Sequence, residues 1–170
     1  YGVSWQLSLG RMKDVGQWIT PSLLFVGRQH GKAEEAVRFY TSVFDGSEIT
    51  GILHYGKGEN DPEGTVKHAQ FSLAGEMFMA MDSAFDHQFG FNEAISLVVN
   101  CRNQEEIDYY WERLSADPSA EQCGWLKDKF GVSWQIVPID MQKMMQDGDK
   151  TKIKRVTEAF LKMKKLSLIH

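Results

Sequence analysis

From Ile19 onward the chain spells out one pattern twice: an apolar strand, an amphipathic helix, then strand-like pieces separated by turn residues. Ile19–Val26 is the first apolar run, and Lys32–Phe44 follows it with Ala33, Ala36, Val37, Tyr40 and Phe44 on one helical face. Ala94–Asn100 is the second run, and the helix after it carries Ile107, Tyr110, Trp111 and Leu114 on one face. Asn103 with Glu106 gives that second helix the signature of a capping box. Glu48–Tyr55, Val66–Leu73 and Glu76–Met81 follow the first helix; Gln122–Lys127 and Val132–Val137 follow the second. Turns are marked by Asp45-Gly46, Gly56–Gly64 and Ala74-Gly75. The expected fold class is therefore α+β: paired β-α-β-β-β units, the second compressed. Each would give a curved, mixed or antiparallel sheet with its helix outside, and two such sheets side by side would make a cup.

A second repeat bears on where the module begins. Tyr1–Leu7 and Phe130–Ile136 share Gly-Val-Ser-Trp-Gln, with conservative changes on either side. The expectation is that residues 1–17 are the last strand of a preceding tandem module plus a linker (Ser8–Gln17), and that 18–170 are a complete module with a C-terminal helix.

Composition narrows the function classes. Apolar, aromatic and charged fractions are ordinary for a soluble domain, and no apolar run approaches the length of a membrane span. The net charge of −4 disfavours a general nucleic-acid binder. Basic residues gather in the tail, at Lys150, Lys152, Lys154, Arg155, Lys162, Lys164 and Lys165. Ile153, Val156, Phe160 and Met163 run among them at helical spacing, which reads as an amphipathic helix with a solvated basic face. Cys101 and Cys123 read as reduced packing thiols, and the chain as cytoplasmic. Gly56–Gly64 lacks a phosphate-loop pattern and reads as a flexible loop that could act as a lid.

The segments Phe91–Ser96 (Phe-Asn-Glu-Ala-Ile-Ser), Cys123–Gln135 (Cys-Gly-Trp-Leu-Lys-Asp-Lys-Phe-Gly-Val-Ser-Trp-Gln) and Lys162–Lys165 resemble the PhnB-like branch of the vicinal-oxygen-chelate superfamily. That branch carries an old label, 3-demethylubiquinone-9 3-methyltransferase; the superfamily includes glyoxalase I, bleomycin-resistance proteins and extradiol dioxygenases. The resemblance implies four inward side chains holding a divalent metal, at positions corresponding to about Pro21, Gln70, Ala94 and Gln135. Pro and Ala offer no side-chain donor and glutamine is a poor ligand for zinc or nickel, so a metal-free site with no cofactor is expected.

Period two along the strands sets the face. If Gln70 and Gln135 point into the cup, so do His68, Ser72 and Ser133, while Ala94 brings Ser96 with it. Ala69, Phe71, Leu73, Ile95, Leu97, Val99, Val132, Trp134 and Ile136 would then form an apolar layer against the helices. The candidate ligand-binding residues are His68, Gln70, Ser72, Ser96, Ser133 and Gln135. A polar sheet face can also be merely solvated, and His68 an ordinary surface histidine. Glu93 and Asp82 are expected at strand ends near the rim, serving as acid or base or simply facing water. Trp125, Trp134 and the alternating Met77, Met79 and Met81 read as packing residues.

A methyltransferase activity gains nothing from these residues, since no glycine-rich turn joins a buried parallel strand to a helix. The leading expectation is a binding module for a small organic ligand, paired as a homodimer or with a tandem copy. The alternative is a lyase or isomerase with His68 as general base and Gln70 and Gln135 steadying an enolate-like oxygen, or with a non-standard metal held by His68 and Glu93. A purely structural role is the third reading.

Overall fold

The computed structural model describes residues 4, 17–141 and 149–168. The expected strand at Tyr1–Leu9 lies, Ser4 apart, outside them. The chain divides into two compact units, Tyr1–Gln88 and Phe89–His170.

The first unit runs β1 (Ser22–Phe25), a short 3-10 turn (Gly27–Gln29), α1 (Ala33–Val43), β2 (Glu48–His54), β3 (Val66–Leu73) and β4 (Glu76–Asp82). Its sheet is ordered β1-β4-β3-β2, with β1 parallel to β4 and the other pairs antiparallel. Helix α1 buries Ala33, Ala36, Val37, Tyr40 and Val43, the face expected from the spacing, and Phe44 is buried just beyond it. Phe25, Ala69, Phe71, Leu73 and Ala80 supply the buried sheet residues of the same unit. Opposite each other in the β3–β4 register, Phe71 and Phe78 stack with ring centroids 5.7 Å apart. Strand β2 slips register twice, between Ile49 and Gly51 and between Leu53 and His54.

The first strand is shorter than its apolar run suggested. Trp18 and Ile19 are exposed, and pairing starts only at Ser22. Gln17, expected at the end of the linker, is fastened to this unit: its side-chain amide donates to the Met77 carbonyl and accepts from the Met77 amide.

The second unit runs β5 (Ser96–Cys101), α2 (Gln104–Leu114), β6 (Trp125–Lys127), β7 (Ser133–Pro138) and α3 (Lys150–Phe160). Its sheet is ordered β5-β7-β6, with β5 parallel to β7 and β6 antiparallel to it. Among the described residues this unit is β-α-β-β, without a counterpart of the edge strand β2. The stretch between α2 and β6 is instead a tight turn in which Asp117 accepts from the Ser119 amide and hydroxyl. Ile95, expected in the apolar layer, precedes β5 and is 61% exposed.

Asn103 caps α2 as expected, accepting from the Glu106 amide at 2.9 Å. The reciprocal arm differs: Glu106 accepts from the Arg102 amide, one residue earlier than a standard box would place it. Ile107, Trp111 and Leu114 form the buried face, and Tyr110 is only half-buried. In the tail helix, Ile153, Val156 and Phe160 are half-buried. The basic face is partly paired, with Lys154 to Glu158, Lys164 to Glu121 and Lys165 to Asp108. After α3 the chain docks on its own unit: the Cys123 and Gly124 amides donate to Met163 and Lys164 carbonyls, and Leu166 is buried. Gly124 has a positive φ and a close approach, since a Cβ there would lie 2.9 Å from the Ile136 carbonyl oxygen. The Cys101 thiol is buried, and burial pushes it up to about 12, as suits a packing residue.

The turn into β7 is organised by Asp128. Its buried carboxylate accepts from the Phe130 amide at 2.8 Å, the Val132 amide at 3.0 Å and the Trp134 indole N–H at 2.8 Å. Gly131, at φ 85°, closes the turn by donating to the Asp128 carbonyl. Asp128→Ala would leave three donors without their acceptor, and urea unfolding should show a loss of about 3 kcal/mol. Trp134→Phe, which removes one of the three donors and trims a buried indole to a phenyl ring, should also destabilise, by less than Asp128→Ala.

Candidate functional site

The stacking of Phe71 on Phe78 fixes which side of the first sheet meets the helix, and so which residues lie on the other side. His68, Gln70 and Ser72 alternate away from the buried Ala69 and Phe71, as expected. Gln70 stands opposite Met79 and Ser72 opposite Met77, so the methionines share the polar face. Met77, Met79 and Met81 are half-buried there, whereas Ala80 between them is buried. Of the positions between and beside them, only Ala80 and Asp82 of β4 are fully buried.

His68 and Gln70 line an open groove of about 320 Å³ with Thr50, Gly51, Ile52 and Leu53 of β2. Both side chains are half-buried, and among the described residues neither has a hydrogen-bond or ion-pair partner. The other described histidines are engaged. His30 donates to Asp61 at 2.7 Å, His54 lies 2.6 Å from Glu34, and His87 lies 2.9 Å from the Ser83 hydroxyl. Ser72 is buried and accepts from the Glu48 amide at 3.2 Å, so its hydroxyl fastens the start of β2 rather than lining the groove.

In the second unit, register places Ser96 beside Ser133, and Val98 and Trp125 beside Gln135. Gln135 Nε2 donates to the Ser96 hydroxyl at 2.8 Å. Ser133 is buried, and its hydroxyl has no hydrogen-bond partner among the described residues. Trp134 is the packing residue expected. Trp125 is half-buried opposite Gln135, an aromatic surface beside a polar row. Lys127 stands opposite Ser133 and forms an ion pair with the exposed Glu93. That pairing holds the Glu93 carboxyl below the usual carboxylate range, which leaves it ionised and engaged at neutral pH.

Asp82 is not a rim residue. It is 1% exposed and accepts from the Gly31 amide at 2.7 Å, the Ala33 amide at 3.3 Å and the Val66 amide at 2.8 Å. It therefore ties the start of α1 to the start of β3, where backbone donors would otherwise lack partners.

A feature the sequence reading passed over is Asp61, buried inside the Gly56–Gly64 loop. It accepts from the Ala84 amide at 2.6 Å, the Thr65 hydroxyl at 3.0 Å and His30. With Glu59 accepting from the Gly56 amide, this pins the loop and corrects its reading as a flexible lid. A second open pocket of about 280 Å³ lies beside it, lined by Gly27, His30 and 83–87. The chain signals nothing of this, because an Asp in a glycine-rich stretch reads as a solvated turn residue.

The donor set at the positions implied for a divalent metal does not fit one. Pro21 offers only a carbonyl, which already accepts from the Met79 amide, and Ala94 offers no side-chain donor. Gln135 is bonded to Ser96. Among the described residues, no group of three or more His, Cys, Asp or Glu side chains could hold a metal ion.

Two units with a parallel strand pair, a crossover helix and antiparallel partners define an α+β protein of the glyoxalase-like kind. The family model described as 3-demethylubiquinone-9 3-methyltransferase matches residues 17–137. A solved structure described as a putative 3-demethylubiquinone-9 3-methyltransferase, PhnB protein, from Bacillus cereus is 45% identical. The match covers 72% of this chain and 99% of that one, with a TM-score of 0.63. A Pseudomonas aeruginosa protein of 21% identity shares the fold, at a TM-score of 0.55 over 71% of this chain and 96% of that one. A search of curated proteins found no match. The chain belongs to the 3-demethylubiquinone-9 3-methyltransferase family, in its PhnB-like branch.

Asp61 gives a pH prediction. Burial alone would raise its carboxyl, but the Ala84 amide, His30 and the Thr65 hydroxyl outweigh it and hold it below the ordinary value. A depressed folded-state value means stability present above the unfolded value, about 3.9, and lost as pH falls through the folded one. Asp61→Asn should lower the unfolding midpoint at pH 7 and flatten its fall below about pH 4, read by thermal unfolding across that range.

Proposed function

We propose that this PhnB-family chain is a small-molecule-binding protein whose ligand sits in the groove of the first unit against His68 and Gln70. One observation carries the reading: two half-buried polar side chains lacking partners among the described residues line the same groove. Unpaired hydrogen-bonding groups at a concave, largely apolar wall are what a ligand site offers, and they gain most when an incoming molecule pairs with them. Ile52 and Leu53 supply apolar surface beside them, and the methionines of β4 share their face. In the second unit the half-buried Ser96 and Gln135 are bonded to each other beside Trp125 and Ser133 is buried, so these residues offer a ligand less than the groove of the first unit does.

No catalytic step is assigned. His68 has no acid or base partner among the described residues, and Glu93 is committed to Lys127. The family's methyltransferase description carries no weight here, since both sheets are mixed rather than doubly wound. No helix among the described residues is long and apolar enough to cross a membrane.

Anilinonaphthalene sulfonate, an amphipathic fluorescent probe, tests the groove directly. It should bind saturably, and His68→Ala with Gln70→Ala should weaken binding about tenfold, the equivalent of ~1.4 kcal/mol, with the unfolding midpoint unchanged. Equal binding by the double variant would place the ligand elsewhere.

A further inference from the structure

We propose that the first sheet carries a copper(I) site made by the thioethers of Met79 and Met81 and the imidazole of His68. Three methionines at alternate positions of β4 lie on the face away from α1, all half-buried rather than packed into the core. In the antiparallel register Ala69 pairs with Ala80 and Gln70 with Met79, so one further step sets His68 opposite Met81. Directly opposed side chains start from Cβ atoms about 5 Å apart, and residues two apart on a strand are separated by roughly 6.5–7 Å. The long, unbranched methionine side chain spans such gaps easily.

The chemistry of these donors is selective. Thioether sulfur is soft and uncharged, a poor ligand for zinc, magnesium or calcium and a good one for copper(I). Two thioethers and an imidazole give a three-coordinate set of two sulfurs and one nitrogen, and copper(I) accepts low coordination numbers. His68 has no partner among the described residues to compete with the ion. The carboxylates nearest these donors do not compete: Asp82 points to the core side and is saturated by backbone amides, and Glu48, which shares the open face opposite Ser72, lies four residues along β3 from His68. Met77 continues the row opposite Ser72, four residue pairs along the ladder from His68 and Met81. Binding requires only copper(I) itself and no electron transfer.

The test is an anaerobic titration of the whole chain with copper(I) held by bicinchoninate, a chromogenic chelator. The wild-type chain should withdraw one equivalent, and Met79→Leu with Met81→Leu should weaken that withdrawal at least tenfold. His68→Leu should do the same. The leucines keep volume and apolarity, so an unchanged unfolding midpoint confirms that the variants fold. With silver(I) as a redox-inert surrogate, the methyl resonances of Met79 and Met81 should shift in a methyl-labelled sample while that of Met163 stays in place. Wild-type copper affinity in the double variant, no withdrawal by the wild-type chain, or shifts confined to other methionines would each overturn the site. The inference does not rest on the organic-ligand reading: a chain that binds anilinonaphthalene sulfonate but no copper(I) defeats this proposal alone.

Discussion

Phe71 and Phe78, opposed on neighbouring strands and stacked on the helix side of the first sheet, settle the orientation of everything attached to β3 and β4. Because side chains alternate, committing these rings to the core sends His68, Gln70 and the three methionines the other way. A shift of one residue in either strand would exchange the two faces, burying an imidazole and exposing aromatic rings. The buried apolar face of α1, with Ala36, Val37 and Tyr40, packs on this side and makes that exchange costly. The chemistry of the open face is therefore specified from the closed one.

Buried carboxylates do comparable work at the ends of strands. Asp82 gathers amides from the start of α1 and the start of β3, and Asp128 gathers two amides and an indole at the turn into β7. Each accepts several N–H groups at once, which gives its buried oxygens hydrogen-bond partners. Each joins a strand end to a neighbouring segment that would otherwise carry unsatisfied backbone groups. The aspartates set the frame, and the polar row between strand ends inherits its positions from that frame.

Much of this was legible in the chain. The face of α1 followed from helical spacing, and β3 from Val66 to Leu73 was bounded correctly because turn residues flank it on both sides. Burial at strand ends was harder. Trp18 and Ile19 look like strand residues by composition yet remain exposed, since apolarity does not reveal whether anything lies beside a residue. The methionine alternation gave a period without a sign, and only pairing with β3 showed which side it occupied. Trp125 belongs to a three-residue strand, too short for any phase to be read. Asp61 and Asp82 act through backbone amides distant in sequence, and no local pattern announces such partners. The polar row followed from alternation in separate strands, but alternation does not report burial: Ser72 fastens β2 instead of facing the groove, and Ser133 is buried.

Strand β2 forms one edge of its sheet, and it breaks register twice within seven residues. A straight edge bearing Ile49, Ile52 and the exposed Leu53 would present a continuous row of amides and carbonyls beside apolar side chains, a template on which another chain could extend the sheet. The two slips interrupt that row and twist it out of plane. The irregularities that give the groove wall its shape thereby also guard the chain against aggregation.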